Sequence, residues 1–369
     1  MRLKGGSRLR QLLNGWNERG ECCGNWTPDG VYYVFHAERG GRQDLWALRE
    51  ARGLMGPSVP TPVQLTSGPL NYSQPTPSAD GKSLFAYGTR GRGELVRYDA
   101  RLGEFVPYLG GISAFGVSFS PDAKSVAYIS HFENTLWRAR ADGSDKRQLT
   151  LPPLDVAGLA WSPDGTRLAI RASYPGARKK IYLLPVEGGT PTALTPEDRE
   201  QGTPTWSPDG RIVFGDVPGV FGQPDGSEVL HIFDPATQQL SELPDSQGLW
   251  TSRWSPDGRY ISALTIHHAE GQKLRLFDVN TQRWRHTDAD HVSNPTWSRD
   301  SQYIYYDTEG NTRALRRVRV SDGRVEQLAT LDNYPVAHYG WSGLSLDGSP
   351  IILGRKYDIE VYAFDIERR

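Results

Sequence analysis

The stretch Trp161-Ser162-Pro163-Asp164-Gly165 decides the fold, because variants of it recur along the whole 369-residue chain. Proline presets φ for the second position of a type I turn, aspartate accepts nearby backbone hydrogen bonds, and glycine takes the left-handed position that follows. The large aromatic residue before the serine is expected to be buried between repeats. The stretch therefore predicts a tight turn that is anchored by one large apolar side chain.

The motif occurs eight times, and successive aspartates lie 51, 42, 42, 45, 48, 43 and 47 residues apart. A period in the forties is typical of propeller blades. Short segments rich in β-branched and aromatic residues follow each turn, which favours antiparallel strands. We therefore predict an all-β chain that forms an eight-bladed β-propeller of four-stranded antiparallel blades. The motif aspartates are Asp29, Asp80, Asp122, Asp164, Asp209, Asp257, Asp300 and Asp347.

The two ends of the chain predict how the ring closes. The last repeat, about residues 338–369, stops after its third strand, and residues 5–14 read like the turn and fourth strand of the other repeats. An N-terminal strand that completes the last blade would leave no exposed sheet edge. We therefore expect residues 1–369 to form a single propeller domain.

Charge and hydropathy exclude several classes of partner. The 42 Lys and Arg residues balance 43 Asp and Glu residues, so no strong field draws the chain to nucleic acid or to an anionic membrane. No run approaches the ~18 apolar residues that a membrane span needs, and the start of the chain lacks the apolar run of a secretion signal. We expect a monomer with no nucleic-acid partner and no membrane segment.

The motifs of several enzyme classes are missing. The sequence contains no Gly-x-Ser-x-Gly nucleophile elbow, no phosphate-binding loop and no His-Glu-x-x-His pair. Each motif aspartate stands alone in a turn that already explains it, which disfavours calcium loops. We expect no catalytic residues, no metal and no cofactor. A propeller hydrolase or lyase stays open as an alternative, because such sites are assembled from scattered residues.

The only two cysteines, Cys22 and Cys23, are adjacent. This spacing is neither a disulfide framework nor a zinc-ligand pattern. We interpret them as two small, partly buried side chains. The alternative is a disulfide between neighbouring residues or a redox-responsive pair.

The repeats resemble those of the TolB-like (WD-repeat-like) β-propeller family, through the turn and through third strands such as residues 136–138 (Leu-Trp-Arg) and 181–183 (Ile-Tyr-Leu). Residues 62–70, 92–99 and 108–114 are further similar to the C-terminal propeller of bacterial regulators, especially acidobacterial winged-helix transcription regulators of the CadC type. The resemblance implies a non-catalytic, extracytoplasmic (periplasmic) input domain for signal transduction. The alternative is a protein-interaction scaffold like periplasmic TolB.

Propeller geometry indicates where a ligand would bind. First strands line the channel, and the face opposite the motif turns, here called the loop face, carries the segments before the first strands and the loops between second and third strands. Such loops are expected between residues 87 and 95 and between 353 and 360. Aromatic side chains beside a few charges suit a small polar ligand, a peptide or a partner protein. The arginine among them has a fork that can hold a carboxylate or phosphate. The predicted ligand-binding residues are Tyr72, Trp250, Arg253, Tyr339, Trp341 and His131.

Overall fold

The computed structural model describes residues 19–39, 42–49, 61–131, 133–196, 199–217, 228–266, 271–308, 313–331 and 338–367. These residues form 29 strands and one 3-10 turn, Leu109–Gly111, so the prediction of an all-β chain is confirmed. In this part of the chain, no helix has the length and apolar character to span a membrane. Two compact units are present: residues 1–92 with 357–369, called the first unit, and residues 93–356, called the second unit.

The first unit contains two antiparallel sheets. Val34, Leu45 and Leu84 are at most 4% exposed, and Phe364 packs against the same buried cluster. In strand order, one sheet consists of β1 Arg19–Trp26, β2 Tyr32–Arg39, β3 Arg42–Arg49 and β4 Val63–Gln64. The other sheet consists of β5 Asn71–Pro77, the first part of β6 Ser83–Asp99 and the last part of β29 Pro350–Asp365.

The second unit is by itself a closed ring of six sheets. The first strands of these sheets contact one another in a cycle that returns to its start. One sheet contains β28 His338–Leu344, the first part of β29, the last part of β6 and β7 Glu104–Pro107. The next two are β8 Ala114–Phe119, β9 Ser125–Ser130, β10 Leu136–Arg140, β11 Arg147–Gln148, and β12 Asp155–Trp161, β13 Arg167–Ser173, β14 Lys180–Pro185, β15 Thr192–Ala193. The last three are β16 Thr205–Trp206, β17 Ile212–Gly215, β18 Leu230–Asp234, β19 Gln239–Glu242, then β20 Leu249–Trp254, β21 Tyr260–Thr265, β22 Leu274–Asp278, β23 Arg283–His286, and β24 Val292–Trp297, β25 Tyr303–Thr308, β26 Ala314–Arg319, β27 Val325–Thr330.

The second and last repeats differ from the prediction. The loops expected between residues 87 and 95 and between 353 and 360 are absent, because β6 and β29 each run through these segments as one strand. The segment of residues 88–93 holds three glycines but no proline, asparagine or aspartate that would favour a turn. Gly93 also lets β6 pass close to Leu353, since a Cβ at this position would lie 2.7 Å from the leucine side chain.

The propeller prediction is therefore confirmed as a fold class, but the count of eight blades in one ring is not. Six sheets already close into a ring within residues 93–356. The closing strand at residues 5–14 lies outside the described residues. Closure of the last repeat by that strand and a single domain over residues 1–369 both stay predictions.

The motif turns have the structure that the sequence predicts. Ser162 Oγ donates to Asp164 Oδ1 at 2.5 Å, and the Thr166 N–H donates to the same oxygen at 3.0 Å. The Arg167 N–H donates to Ser162 Oγ at 2.9 Å, while Gly165 takes a φ of 69°. Each aspartate is thus used within its own turn, which supports its structural role.

Two motif tryptophans illustrate how neighbouring sheets of the second unit are joined. The indole Nε1 of Trp161 donates to the Ser118 carbonyl at 2.9 Å, and that of Trp297 donates to the Arg253 carbonyl at 3.0 Å. Both side chains are 8% exposed, so their predicted burial is confirmed. Trp26 of the first unit is different, because 41% of its surface is exposed.

Candidate functional site

The first strands of the six sheets line a channel in the second unit, with a cavity of about 650 Å³. In each of the six turn motifs of the second unit, the residue immediately before the first motif residue lies in this lining. These six positions form what we call the channel ring, and five of them carry a small side chain or none. The channel ring consists of Ser118, Ala160, Thr205, Arg253, Thr296 and Gly343.

Arg253 is the one long side chain of the channel ring. Its Nη1 donates to the Ser252 carbonyl at 2.9 Å and to the Thr203 carbonyl at 3.4 Å. Desolvation by the surrounding protein lowers the pKa of Arg253 to about 10. The side chain nevertheless keeps an intermediate exposure, because it faces the open channel. At neutral pH it therefore stays charged and within reach of a molecule in the channel.

The rest of the lining does not neutralise that charge. Among the described residues that line the cavity, the charged ones are Arg253 and Arg299, and none is a carboxylate. Both hydrogen bonds of Arg253 use Nη1, so Nε and Nη2 make no bond to a described residue. Arg299 stands where most other motifs have proline, and its Nη2 donates to the Pro121 carbonyl at 2.9 Å at the turn side of the channel. The cavity therefore carries net positive charge.

Neutral polar groups complete the lining. Asn294 and the hydroxyl-bearing residues Ser118, Thr205 and Thr296 all lie on the channel wall. Thr296 Oγ1 accepts a hydrogen bond from Nε1 of Trp341 at 2.9 Å, which holds the indole ring at the wall. A wall that combines apolar surface with such polar groups suits a site for a small polar molecule.

Of the predicted ligand-binding residues, Arg253 and Trp341 line the cavity, whereas Trp250, Tyr339 and His131 are not among its lining residues. Trp250 packs against the buried cluster that includes Leu264, and its Nε1 is buried without a hydrogen-bond partner in the described part of the chain. Arg253 and Trp341 are therefore the predicted residues that lie together at this site.

The other predicted residues make protein contacts. The Tyr339 hydroxyl donates to Asp307 Oδ2 at 3.2 Å, and the Arg313 guanidinium lies 5.5 Å from the Tyr339 ring centre. The His131 ring meets the Phe115 ring edge-on at 6.5 Å between centroids.

Tyr72 belongs to the first unit. Its ring meets those of Tyr362 and Phe364 edge-on, with centroid distances of 5.9 and 5.4 Å.

Sequence reasoning missed Thr205, Thr296 and Arg299 of the channel wall. A usable signal was present, because counting back one residue from each of the six motifs between residues 119 and 348 gives the channel ring directly.

The interpretation of Cys22 and Cys23 as small, partly buried side chains is wrong. The two residues form a disulfide and are exposed.

Comparison with known proteins identifies the family. The signature of the TolB beta propeller domain matches residues 116–345. A Bacillus subtilis (strain 168) protein named uncharacterized peptidase YuxL is 24% identical over 207 residues, which is 53% of this chain and 29% of that protein. The chain thus spans less than a third of the curated relative that it matches.

One solved structure of a TolB protein supports the same fold. A candidate TolB from Agrobacterium tumefaciens superposes with a TM-score of 0.56 and 19% identity, covering 73% of this chain and 99% of that one. TolB from Acinetobacter baumannii gives a TM-score of 0.49 and 18% identity, covering 77% and 79% of the two chains. Because the family signature extends over more than half of the sequence, the chain belongs to the TolB β-propeller domain family.

Proposed function

We propose that this chain is a non-catalytic binding propeller, and that its ligand is a small polar molecule or a peptide whose carboxylate or phosphate is held in the channel by Arg253. One observation carries the proposal. A charged guanidinium projects from a ring of otherwise small side chains into a cavity whose described lining contains no carboxylate.

The energetics of a buried charge support this assignment. Removing a charged group from water costs several kcal/mol unless a partner compensates it. Two backbone carbonyls satisfy Nη1 of Arg253, while Nε and Nη2 are left for a further acceptor. A carboxylate or phosphate can accept two parallel hydrogen bonds from such a fork. A ligand anion would therefore supply the missing partner.

The other predicted residues have different parts in the proposal. Trp341 would offer its ring to the ligand at the channel wall. Tyr339, Trp250 and His131 would act on the loop face of the second unit when the ligand is a longer peptide or a partner protein. Tyr72, in the first unit, would be an independent contact for a protein partner.

The biological setting is also part of the proposal. The resemblance to regulator propellers supports an extracytoplasmic input domain of a bacterial signalling or transcription regulator, and the TolB family supports a periplasmic location. A rigid ring of packed sheets changes shape little on binding, so the signal would pass through altered contacts with a partner.

A thermal-shift screen of carboxylates, phosphates and short peptides tests the channel site, using the wild type, Arg253→Gln and the control Arg259→Gln. Arg259 carries the same charge but is 55% exposed on a turn. A ligand at ~100 times its dissociation constant should add ~2.7 kcal/mol to the free energy of unfolding. We expect this gain in the wild type and Arg259→Gln but not in Arg253→Gln. Equal gains in all three proteins would refute the site, and a screen without hits would favour the protein scaffold.

The named Bacillus subtilis relative favours a second candidate, a propeller-type hydrolase. Hydrolysis of fluorogenic peptides by the purified chain would support this candidate. For a lyase, the discriminating observation is a stoichiometric transition metal in the purified protein.

A further inference from the structure

A left-handed bulge brings both cysteine sulfurs to one side of β1. In a regular strand, neighbouring side chains point to opposite faces of the sheet. The pairing of β1 with β2 shifts register between Cys22 and Asn25, and Cys23 takes a φ of 57°. Here the two sulfurs are close enough to be bonded to each other.

The same bulge recurs in the first strands of other sheets, which shows that it belongs to the repeat. Three positions before the first motif residue, the chain takes a positive φ in Gln74 (49°), Gly116 (60°), Thr251 (50°) and Asn294 (48°). Cys23 occupies the equivalent position of the first repeat. The fold therefore imposes the backbone geometry that brings the two sulfurs together.

A histidine lies directly beside this pair. His36 is opposite Cys22 in the β1–β2 register, and the residue is 7% exposed. The two sulfurs and a His36 ring nitrogen all lie within 4.8 Å of one another, and no other group of three such ligand atoms is that close in the described part of the chain. Both cysteines are exposed, so the side of the cluster away from His36 is open to solvent.

We propose that Cys22, Cys23 and His36 form a redox-gated site for a thiophilic divalent cation such as Zn²⁺. Zinc takes thiolate and imidazole ligands in a tetrahedral arrangement, and a site with three protein ligands leaves one position for water or another molecule. In the disulfide state the sulfurs are bonded to each other and cannot act as thiolates. Reduction therefore opens the site and oxidation closes it.

The chemistry balances with a thiol or phosphine as the reductant. With a phosphine, the S–S bond breaks, the phosphine takes up oxygen from one water to become the phosphine oxide, and the two hydrogens of that water end on the sulfurs. Zn²⁺ then displaces both thiol protons, which pass to the solvent. The imidazole supplies one ring nitrogen and gives up the long hydrogen bond of 3.3 Å that the Gln74 N–H donates to its Nδ1.

Equilibrium dialysis of the full chain against Zn²⁺ tests the site, before and after reduction with a phosphine that is then removed. The variants are Cys22→Ser/Cys23→Ser and His36→Asn, and His286→Asn is the control because His286 is an exposed histidine on β23 of the second unit. Thermal unfolding of each variant checks its fold. A second measurement, the rate of thiol alkylation of the reduced wild type with and without Zn²⁺, tests the two sulfur ligands without using the His36→Asn variant.

We expect one equivalent of Zn²⁺ on the reduced wild type and on His286→Asn, with protection of both thiols from alkylation. The oxidised protein and the double serine variant should lack this equivalent, and His36→Asn should bind about tenfold or more weakly, since even outer-sphere partners change affinity by that factor. Retention of the Zn²⁺ by the double serine variant or by the oxidised protein would overturn the proposal. If His36→Asn folds and binds Zn²⁺ as tightly as the wild type, the imidazole is not a ligand and the proposed three-ligand site is wrong.

Discussion

Replacing Thr150 by valine removes a hydrogen bond at the start of the third strand of its repeat. The Leu136 N–H donates to Thr150 Oγ1 at 2.8 Å, and the two residues are 0% and 4% exposed. The Leu136 carbonyl already accepts the Leu149 N–H at 2.8 Å on the same side of β10, so the N–H points away from β9 and has no other strand to bond. Valine has nearly the same shape as threonine but leaves this N–H buried without an acceptor.

The expected loss follows from two opposing effects. An orphaned buried N–H costs about 1–3 kcal/mol, and the added apolar methyl group returns up to about 0.8 kcal/mol. With a cost of about 2 kcal/mol, the middle of that range, we expect Thr150→Val to lower the free energy of unfolding by about 1–2 kcal/mol. For a unit of this size, each kcal/mol lowers Tm by about 2–4 °C. Urea unfolding monitored by tryptophan fluorescence measures the change.

Two further variants separate the hydrogen bond from packing. Thr150→Ser keeps the acceptor oxygen and should lose less stability than Thr150→Val. Thr237→Val makes the same substitution on an exposed turn and should change stability by less than about 0.5 kcal/mol. If Thr150→Val is as stable as the wild type, or if the serine variant is the less stable of the two, the reasoning is refuted.

Three other predictions concern the same ring. Gly343 and Gly348 both have positive φ (120° and 82°). A Cβ on Gly343 would lie 2.6 Å from the Val117 carbonyl oxygen, whereas a Cβ on Gly348 would meet nothing within 4 Å. Thermal unfolding should therefore show Gly343→Ala to be less stable than Gly348→Ala by about 2 kcal/mol. Trp297→Phe loses the hydrogen bond to the Arg253 carbonyl and should reduce stability by about 1–3 kcal/mol, while Trp26→Phe at an exposed position should have little effect on the urea midpoint. The hydrogen bond from Ser162, followed by the Thr166 N–H, lowers the pKa of Asp164, so its stabilising contribution is present above the unfolded pKa of about 3.9 and is lost as the pH falls through the lower folded value. Denaturation between pH 6 and 3 should therefore show a smaller acid-induced loss for Asp164→Asn than for the wild type, and equal losses would contradict this assignment.

The fold class could be predicted from the sequence because the turn motif acts through short-range interactions. The serine, proline, aspartate and glycine of each motif act within about five residues of one another, as the bonds of Ser162 and Asp164 illustrate. Interactions of such short range depend little on the rest of the chain, so the turns and the strands that follow them could be predicted. Their spacing then indicated a propeller.

Long-range pairing decided how many sheets close into a ring. No local residue pattern in β6 or β29 identifies the distant strand that lies beside each half of these strands. The sequence instead predicted a loop within both segments. The choice depends on burial of Leu95, Ile351 and Leu353 in one cluster of the second unit. Contacts between residues that are more than 250 positions apart cannot be inferred from the period of a turn motif.

Tertiary structure also decided which first-strand residues face the channel. Trp250 and Arg253 are three positions apart on β20, and strict alternation would place them on opposite faces without saying which one lines the channel. In the structure, Arg253 lines the cavity and Trp250 packs among buried side chains, and the left-handed Thr251 (φ 50°) lies between them where the register shifts. The sequence determined that this chain is a propeller built on Ser-Pro-Asp-Gly turns, because those turns are local. The backbone geometry of the first strands and the distant strand pairs, which only the folded chain fixes, decided which side chains face the channel and placed Arg253 in the channel ring.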